Sequence, residues 1–167
     1  AGAVIAFLLL GLVSGREVYH SVEWKVIVLL ASLIPLAEAF ERTGGADLLA
    51  SQILVLTEGS APWVSLVLVM VVTMTMSDFL NNVATTLIAA PVALAVAGSL
   101  GANPDTFLMA VAVAASCAFL TPIGHKNNTI ILGPGGYRFA DYWRMGLPLE
   151  LLVIAVSIPA LLVFWPI

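Results

Sequence analysis

The sequence predicts an all-α membrane protein, a polytopic helical bundle that contains a re-entrant hairpin and a broken transmembrane helix. The first reason is composition, because 61% of the 167 residues are hydrophobic and only 10% are charged. A soluble domain carries about 25% charged residues and cannot bury this much apolar surface at this length. The second reason is pattern, since apolar segments alternate with short polar ones along the whole chain. The third is length, because two of these segments are too short to cross a bilayer.

Charge and cysteine content exclude several other classes. The formal net charge of −4 is spread over short loops without a basic stripe, so nucleic acid is not an expected partner. The single cysteine, Cys117, allows neither an internal disulfide nor a cysteine-framed metal site. No nucleophile–base pair or transition-metal ligand spacing is visible, so we expect neither an enzyme nor a cofactor.

Residues 1–58 are predicted to be scaffold helices. The chain starts inside an apolar stretch, 1–13, which we interpret as the second half of a membrane helix and therefore as the sign of a fragment. The apolar run 24–40 follows a charged loop, and its Glu38 is expected near the membrane interface. The shorter, mixed segment 46–56 is more typical of an interfacial helix than of a span.

The second region, 59–167, is predicted to begin with a re-entrant hairpin over residues 62–100. Its arms are 62–76 and 83–100, and the segment SDFLNN forms its tip. Fifteen residues of helix reach only about 22 Å, short of the roughly 30 Å hydrocarbon core. The alternative is two full spans joined by a tight turn.

A broken helix over residues 106–134 is predicted next. Its halves are 106–120 and 129–132, and TPIGHKNN forms an unwound joint between them. Backbone that leaves helical geometry at membrane depth must be buried in protein or line a wet cavity. The last apolar segment, 146–165, is long enough to be an ordinary transmembrane helix.

Basic residues predict the orientation. The hairpin returns to the side from which it enters, so the loops 14–25 and 135–145 share one side of the membrane. That side collects Arg16, Lys25, Arg138 and Arg144, whereas the other has only Arg42. Because Lys and Arg favour the cytoplasm, we expect a multi-pass protein of the cell (inner) membrane with its C-terminus outside.

Two polar clusters interrupt the apolar background. They comprise Ser77, Asp78, Asn81, Asn82, Thr85 and Thr86 in the first, and Thr121, Gly124, His125, Lys126, Asn127 and Asn128 in the second. Polar groups at membrane depth are costly and indicate function. Discontinuous helices bring such clusters together near the midplane, where carbonyl, amide and hydroxyl oxygens bind ions. Neutral oxygens suit a hard monovalent cation, and candidates are Ser77, Asn81, Asn82, Thr121 and the carbonyls around Leu80 and Gly124.

Several of these residues have a second interpretation. Asn81 and Asn82 could simply cap the helix that follows them. Asp78 is either a coupling carboxylate or the structural partner of Lys126. His125 either relays protons or is a neutral, hydrogen-bonded residue of the joint.

The two clusters resemble a known family. The segments SDFLNNVATTLIAAPVALAVA and ASCAFLTPIGHKNNTIILGPGGYRFADYWRMGLPLELL are similar to the divalent anion/sodium symporter family, within the ion-transporter superfamily that includes citrate and arsenite carriers. The sequence motif PIGHKNN…GPGGYRF resembles those of the permeases in that family that carry TrkA-C-type cytosolic domains. The resemblance implies a homodimer of chains with two inverted repeats, of which this chain is the C-terminal one, half of an inverted-repeat transporter. Region 59–167 would then be the transport-type region and would need the missing N-terminal repeat.

The resemblance also implies site residues. The family's Ser-Asn-Thr motif falls on Asn81, Asn82 and Val83, and its backbone sodium ligands fall on Leu80 and Gly124. Together with the residue chemistry, this predicts sodium ligands at Ser77, Leu80, Asn81, Asn82 and Gly124. It predicts substrate contacts at Asn82, Val83, Thr121, His125, Lys126 and Asn128. Because Val83 lacks the hydroxyl of the motif, while His125 and Lys126 replace the family's Thr-Pro, an inorganic oxyanion such as sulfate competes with a dicarboxylate as the expected substrate.

These expectations combine into a function. The sequence predicts a secondary active transporter in the lipid bilayer, with sodium-coupled symport of a small divalent anion. The alternatives are a proton-coupled anion or metalloid carrier, a sodium/proton antiporter of the same superfamily, and a channel.

Overall fold

The computed structural model describes residues 2–12, 14–22 and 24–167, and the regular structure in these ranges is entirely helical, as predicted. The ends of the predicted truncated helix, Ala1 and Val13, and also Glu23, lie outside the described residues, as does the side chain of Lys25. The helices are α1 Gly2–Leu9, α2 Gly15–Ser21, α3 Trp24–Arg42, α4 Gly45–Leu56, α5 Pro62–Ser77, α6 Asn82–Leu100, α7 Pro104–Ala114, α8 Lys126–Leu132 and α9 Phe139–Phe164. The chain divides into two compact units, 1–35 and 36–167.

In the first unit, the charged loop after α1 contains a short helix, α2. Ser14 caps it: its Oγ accepts a hydrogen bond from the Glu17 amide at 3.2 Å, and Glu17 Oε2 accepts from the Ser14 amide at 2.8 Å. This reciprocal capping box satisfies amides that a helix start leaves without partners.

In the second unit, α5 and α6 pack side by side, and α7 packs against both. The largest fully buried side chains of this core are those of Phe107, Leu66, Met70 and Met74. Ala89, Ala93 and Ala97 form a small-residue row at four-residue spacing on α6 and are also buried. Such rows let helix backbones approach closely without help from the hydrophobic effect. The core therefore suits a protein packed within lipid.

Helices α5 and α6 begin and end within one residue of the predicted hairpin arms. Pro62 occupies the first turn of α5, where its missing amide proton costs nothing. The connecting residues 77–82 are called the hairpin tip below. The two helices pack against each other and so form a helical hairpin. Its re-entrance into the membrane stays a prediction.

Helices α7 and α8 flank a non-helical segment where the broken helix was predicted, but the predicted limits of its halves, 106–120 and 129–132, differ from the observed ones. That α7 and α8 form one broken transmembrane helix stays a prediction. Helix α7 ends at Ala114, six residues earlier than predicted, and α8 begins at Lys126, three residues earlier. The intervening residues 115–125 are not helical and are called the unwound segment below.

The early end of α7 has a tertiary cause. Ser77 Oγ donates a hydrogen bond of 2.6 Å to the carbonyl oxygen of Ala115, and the Leu120 amide donates one of 2.9 Å to Asp78 Oδ1. These bonds satisfy backbone groups that a continuing helix would otherwise pair. The apolar sequence of 116–120 predicts that α7 continues, but the hairpin tip supplies hydrogen-bond partners in place of those of a helix.

The last helix is longer than the predicted 146–165. It begins at Phe139, because the Asp141 carboxylate accepts a hydrogen bond of 2.8 Å from the Arg138 amide and closes the first turn. Among the described residues, α6 and the 26-residue α9 are the helices long and apolar enough to cross a membrane.

The far end of α9 is tied to the start of α7. Thr106 Oγ1 donates to the Trp165 carbonyl at 2.7 Å, and Asn103 Nδ2 donates to the Pro166 carbonyl at 3.2 Å. These bonds satisfy carbonyls at a helix C-terminus and join the chain end to the α6–α7 connection.

Candidate functional site

The structure brings the two polar clusters into direct contact. Besides the Ser77 and Asp78 bonds above, Thr121 Oγ1 donates to the Asp78 carbonyl at 2.6 Å and accepts from the Gly124 amide at 3.1 Å. The hairpin tip and the unwound segment therefore share a hydrogen-bonded network of side chains and backbone. Networks of this kind fix two irregular segments in one relative arrangement.

Gly124 lies where the two segments approach each other closely. A Cβ atom there would stand 2.8 Å from the Ala118 Cβ, 3.0 Å from the Ser77 carbonyl oxygen and 3.1 Å from the Asp78 Cα. Distances under 3.0 Å are not tolerated without displacement. The absence of a side chain is thus what lets the backbone at Gly124 lie against the tip.

Asn81 and Asn82 have different roles in the structure. Asn81 is the N-cap of α6, and its Oδ1 accepts from the Ala84 amide at 2.8 Å, as the capping interpretation predicts. Asn82 Oδ1 lies 3.4 Å from Ser77 Oγ, but the single hydroxyl proton of Ser77 goes to the shorter bond with Ala115. Asn82 is half-buried and its amide oxygen therefore remains uncommitted.

The other predicted sodium ligands differ in how deeply they are buried. Ser77 is completely buried, with its hydroxyl engaged, and Gly124 is buried behind the tip. Leu80, at the tip, is 39% exposed. Of the predicted ligands, the uncommitted Asn82 side-chain oxygen is thus the one best placed to meet a cation.

The predicted substrate contacts fall into two groups. Val83, His125 and Lys126 are exposed or half-exposed, on the outer side of the tip and at the start of α8. Thr121 is buried with its hydroxyl fully used, and Asn128 is half-buried, with Nδ2 donating to the Ala118 and Thr121 carbonyls at 2.9 and 3.1 Å. Thr121 and the Asn128 amide nitrogen therefore hold the unwound segment in shape.

His125 and Lys126 lie at the start of α8. His125 is the N-cap of α8, and its Nδ1 accepts from the Asn127 amide at 3.3 Å. Lys126 is exposed, while Asp78 is buried and accepts from a backbone amide instead. Within the described ranges the ion pair is Arg42 with Glu38, at 3.8 Å, so the proposed Asp78–Lys126 pairing is not formed.

Two residues of this region were not singled out from the sequence. Tyr142 OH donates to the Asn128 carbonyl at 2.7 Å and ties α8 to the start of α9. Glu150 is buried on α9, beside the unwound segment. The sequence signal for Glu150 was its position as the acidic residue of the apolar stretch 146–165; such a residue in a membrane helix is a functional candidate.

An open cavity of about 830 Å³ adjoins the unwound segment. Its walls come from α8, the following turn and the first half of α9, and include Asn128, Ile131, Tyr142, Met145 and Leu149. Most of this lining is apolar.

Apart from the carboxyl group of Asp78, the oxygen ligands offered by the tip and the unwound segment are neutral amide, hydroxyl and carbonyl groups. Searched over the described part of the chain, the structure contains no group of three His, Cys, Asp or Glu residues that could hold a metal ion. Amide, hydroxyl and carbonyl oxygens match a hard cation of low charge and are poor ligands for transition metals.

Comparison with known proteins finds relatives along the whole chain. A family model described as "Citrate transporter" matches residues 1–167. The uncharacterized transporter YfbS of Escherichia coli (strain K12) is 36% identical over 167 residues, which are 98% of this chain and 27% of YfbS. The uncharacterized transporter sll0640 of Synechocystis is 38% identical over 162 residues, covering 96% of this chain and 26% of that protein.

A relative with a more informative name is the sodium-dependent dicarboxylate transporter SdcS of Staphylococcus saprophyticus. It is 27% identical over 142 residues, which are 85% of this chain and 27% of SdcS. The chain thus spans 26% to 27% of the length of these curated relatives.

Proposed function

The chain belongs to the citrate transporter family, and from this premise we propose that it forms the C-terminal part of a secondary active transporter that couples sodium to the movement of a divalent anion. The observation that carries the proposal is the contact between the hairpin tip and the unwound segment, with the uncommitted amide oxygen of Asn82 where they meet. Transporters build ion sites from such paired interruptions in helices. The name of SdcS, a sodium-dependent dicarboxylate transporter, supports the same coupling ion.

For the substrate we propose a small dianion, with sulfate and dicarboxylates as the two classes to compare. Val83 presents no hydroxyl group to a carboxylate, and the exposed Lys126 ammonium beside His125 offers charge and hydrogen-bond donors to an oxyanion. Val83 and Lys126 favour sulfate, whereas the name of SdcS favours a dicarboxylate.

We also propose a membrane location, an orientation and an assembly for the chain. We place it in the inner membrane with its C-terminus outside, as the basic residues predict. The complete protein would add an N-terminal repeat that faces this one and would assemble as a homodimer, as the family resemblance implies.

The experiment that tests the proposal is uptake by the complete protein in proteoliposomes. Labelled sulfate and labelled succinate are offered with and without an inward sodium gradient, to the wild type and to Asn82→Ala. We expect sodium-driven accumulation of one anion and its loss in Asn82→Ala, because the substitution removes the uncommitted oxygen from the tip. Gln52→Ala, which removes an exposed amide on α4, is the matched control and should keep wild-type uptake.

A proton-coupled carrier is the second candidate, and the buried carboxyl groups of Asp78 and Glu150 favour it. It requires uptake that follows a pH gradient and is indifferent to sodium. Uptake of that kind, or sodium-driven uptake that survives the loss of Asn82, would overturn the sodium site proposed above.

A further inference from the structure

The cavity beside α8 and α9 is lined by large apolar side chains that the rest of the described chain leaves uncovered. Ile131 is 50% exposed, Met145 is 77% exposed and Leu152 is 59% exposed. The volume of about 830 Å³ lies within the range of about 300–1,000 Å³ that is usual for binding sites of small molecules. Contiguous exposed apolar surface marks a site of interaction. The cavity is therefore suited to an occupant with a large apolar part.

Most polar groups of the lining are already engaged within the protein. Tyr142 OH donates to the Asn128 carbonyl at 2.7 Å, and Asn128 Nδ2 donates to two backbone carbonyls of the unwound segment. The Asp141 carboxylate accepts from the Arg138 amide at 2.8 Å. An occupant of the cavity therefore gains more from apolar contact than from hydrogen bonds with these groups.

Arg144 is the exception among the polar lining residues. It is exposed, and its guanidinium forms no ion pair or hydrogen bond with any residue that the structure describes. Asp141 supplies one negative charge nearby, but Arg138 and Arg144 together outnumber it. Arginine suits phosphate, because its planar set of donors matches the phosphate oxygens. The cavity thus combines apolar walls with a free cation that can hold a phosphate group.

The order of these groups along α9 follows the long axis of a membrane lipid. Helix α9 is long and apolar enough to cross a membrane, and Leu149 and Leu152 are exposed on it. From Arg144 the helix rises by about 8 Å to Leu149 and by about 12 Å to Leu152. Tyr137 and Tyr142, with ring centroids 6.2 Å apart, lie near the end that carries Arg144. Aromatic rings and arginines at one end and leucines further along are typical of a helix that enters a bilayer.

We propose that this cavity binds an anionic phospholipid, with the phosphate on Arg144 and one acyl chain between α8 and the first half of α9. In the predicted orientation, the start of α9 faces the cytoplasm, and the anionic lipids of that leaflet attract Lys and Arg. The lipid covers Ile131, Met145 and Leu152, which the described chain leaves exposed. This inference goes beyond the proposed transport function, since lipid binding requires neither sodium nor a transported anion.

The test is photo-crosslinking of the complete protein, reconstituted in phosphatidylcholine vesicles with a trace of a lipid that carries a diazirine in its acyl chain. Phosphatidylglycerol and phosphatidylcholine probes with identical acyl chains are compared, and the labelled peptides are identified by mass spectrometry. We expect phosphatidylglycerol to label the peptides around Ile131 and Leu149 more strongly. Arg144→Gln should lower this labelling about fivefold, because one basic residue near a headgroup contributes about that much to affinity.

The apolar wall is tested separately. Leu149→Trp fills part of the cavity and should reduce labelling by both probes. Leu151→Trp is its matched control, because Leu151 is an exposed residue of α9 outside the cavity lining, and it should keep wild-type labelling. Arg16→Gln, which removes an exposed arginine of α2, is the control for Arg144→Gln and should also keep it.

Size-exclusion chromatography establishes that each variant is folded. If Arg144→Gln or Leu149→Trp does not fold, competition in the wild type replaces the variant. Unlabelled phosphatidylglycerol should displace the phosphatidylglycerol probe from the cavity, whereas glycerol phosphate, which has no acyl chain, should not.

Three kinds of result would overturn the proposal. Absence of labelling at the cavity by either probe would show that the remainder of the complete protein covers it. Equal labelling by the two probes, or a preference that Arg144→Gln leaves intact, would remove Arg144 as the phosphate site. Displacement by glycerol phosphate would indicate a site for free phosphate in place of a lipid. All of these measurements are made without sodium or a transported anion, so their failure is distinguishable from failure of the uptake experiment.

Discussion

At the scale of single residues, Gly124 determines how closely the unwound segment lies against the hairpin tip. Gly124→Ala places a Cβ atom 2.8 Å from the Ala118 Cβ and 3.0 Å from the Ser77 carbonyl. Because one of these neighbours is backbone, the strain should lower the free energy of unfolding by about 1–3 kcal/mol. Chemical unfolding in detergent, followed by circular dichroism, measures this change.

The control for this substitution is Gly98→Ala. Gly98 lies within α6, where a Cβ atom would meet nothing within 4 Å. Alanine there should raise stability by about 0.5–1 kcal/mol, because glycine is a poor helix former. Equal effects of the two substitutions would show that the close contact at Gly124 is not formed.

Glu17 gives a prediction of pH dependence at the residue scale. Hydrogen bonds from the Ser14 backbone amide and then from its hydroxyl hold the pKa of Glu17 below its ordinary value. A carboxyl whose folded-state pKa is lowered stabilises the folded state above its unfolded pKa, and this stabilisation is lost as the pH falls through the folded value. Helix α2 should therefore fray in acid, below the ordinary titration range of glutamate.

The Glu17 prediction is measured by NMR titration of its carboxyl carbon. In Ser14→Ala the pKa should rise toward the ordinary value without reaching it, because the larger contribution, the backbone bond, remains. Ser51→Ala, which removes an exposed hydroxyl elsewhere, should leave the pKa of Glu17 unchanged. A pKa that does not respond to Ser14→Ala would contradict the capping box.

Sequence reasoning went furthest for residues whose chemistry is local. Asn81 as a helix cap follows from its position directly before an apolar helical run, and the structure contains that bond. The buried use of the Thr121 hydroxyl could not be predicted, because its partner, the Asp78 carbonyl, is 43 residues away in the chain. Glu150 was missed for the same reason, since its surroundings come from the unwound segment.

At the scale of helices, the start of α6 depends on the cap that Asn81 provides. Asn81→Ala should lower the free energy of unfolding by about 0.5–2 kcal/mol, whereas Asn81→Ser keeps a capping oxygen and should be close to wild type. The same unfolding assay measures both variants. A sodium affinity that falls in Asn81→Ser while stability is retained would give Asn81 the additional ligand role that the sequence predicts.

The limits of the helices were predictable where local signals set them. Pro62 and Asn81 mark the starts of α5 and α6, and both lie within one residue of the expected positions. The end of α7 was placed six residues too late, because 116–120 has helical composition and loses its helix only to partners from the hairpin tip. The start of α9 was placed seven residues too late, because the Arg138–Asp141 turn was interpreted as loop.

At the scale of the whole molecule, the orientation is the prediction to test. In a Cys117→Ala background, single cysteines replace Ser14 and Ser60, which are both exposed and lie on opposite sides in the predicted topology. A membrane-impermeant thiol reagent added to intact cells should label Ser60→Cys and should label Ser14→Cys only after permeabilisation. The opposite pattern would reverse the orientation, and labelling of both in intact cells would contradict the crossing between them.

The general architecture was predictable because lipid leaves few alternatives. A chain with this composition must be helical in the membrane. Two non-helical segments at membrane depth must pack against each other or contact water. That argument predicted that the two polar clusters lie together, and the structure shows them hydrogen-bonded. It could not identify the third element, α9, because an uninterrupted apolar helix gives no sequence signal for which neighbour it contacts.

The attachment of α9 at two distant points has a mechanical consequence. Near one end it is tied to α7 through the Trp165 carbonyl, and some 20 residues earlier Gly146 lies against the Phe119 backbone. Because α9 is attached at both points, a displacement of α7 and of the unwound segment is transmitted to it. If the hairpin and the unwound segment shift along the membrane normal, α9 has to move with them. Any sliding surface of the protein must then lie on the outer face of α9 and not between α9 and the hairpin.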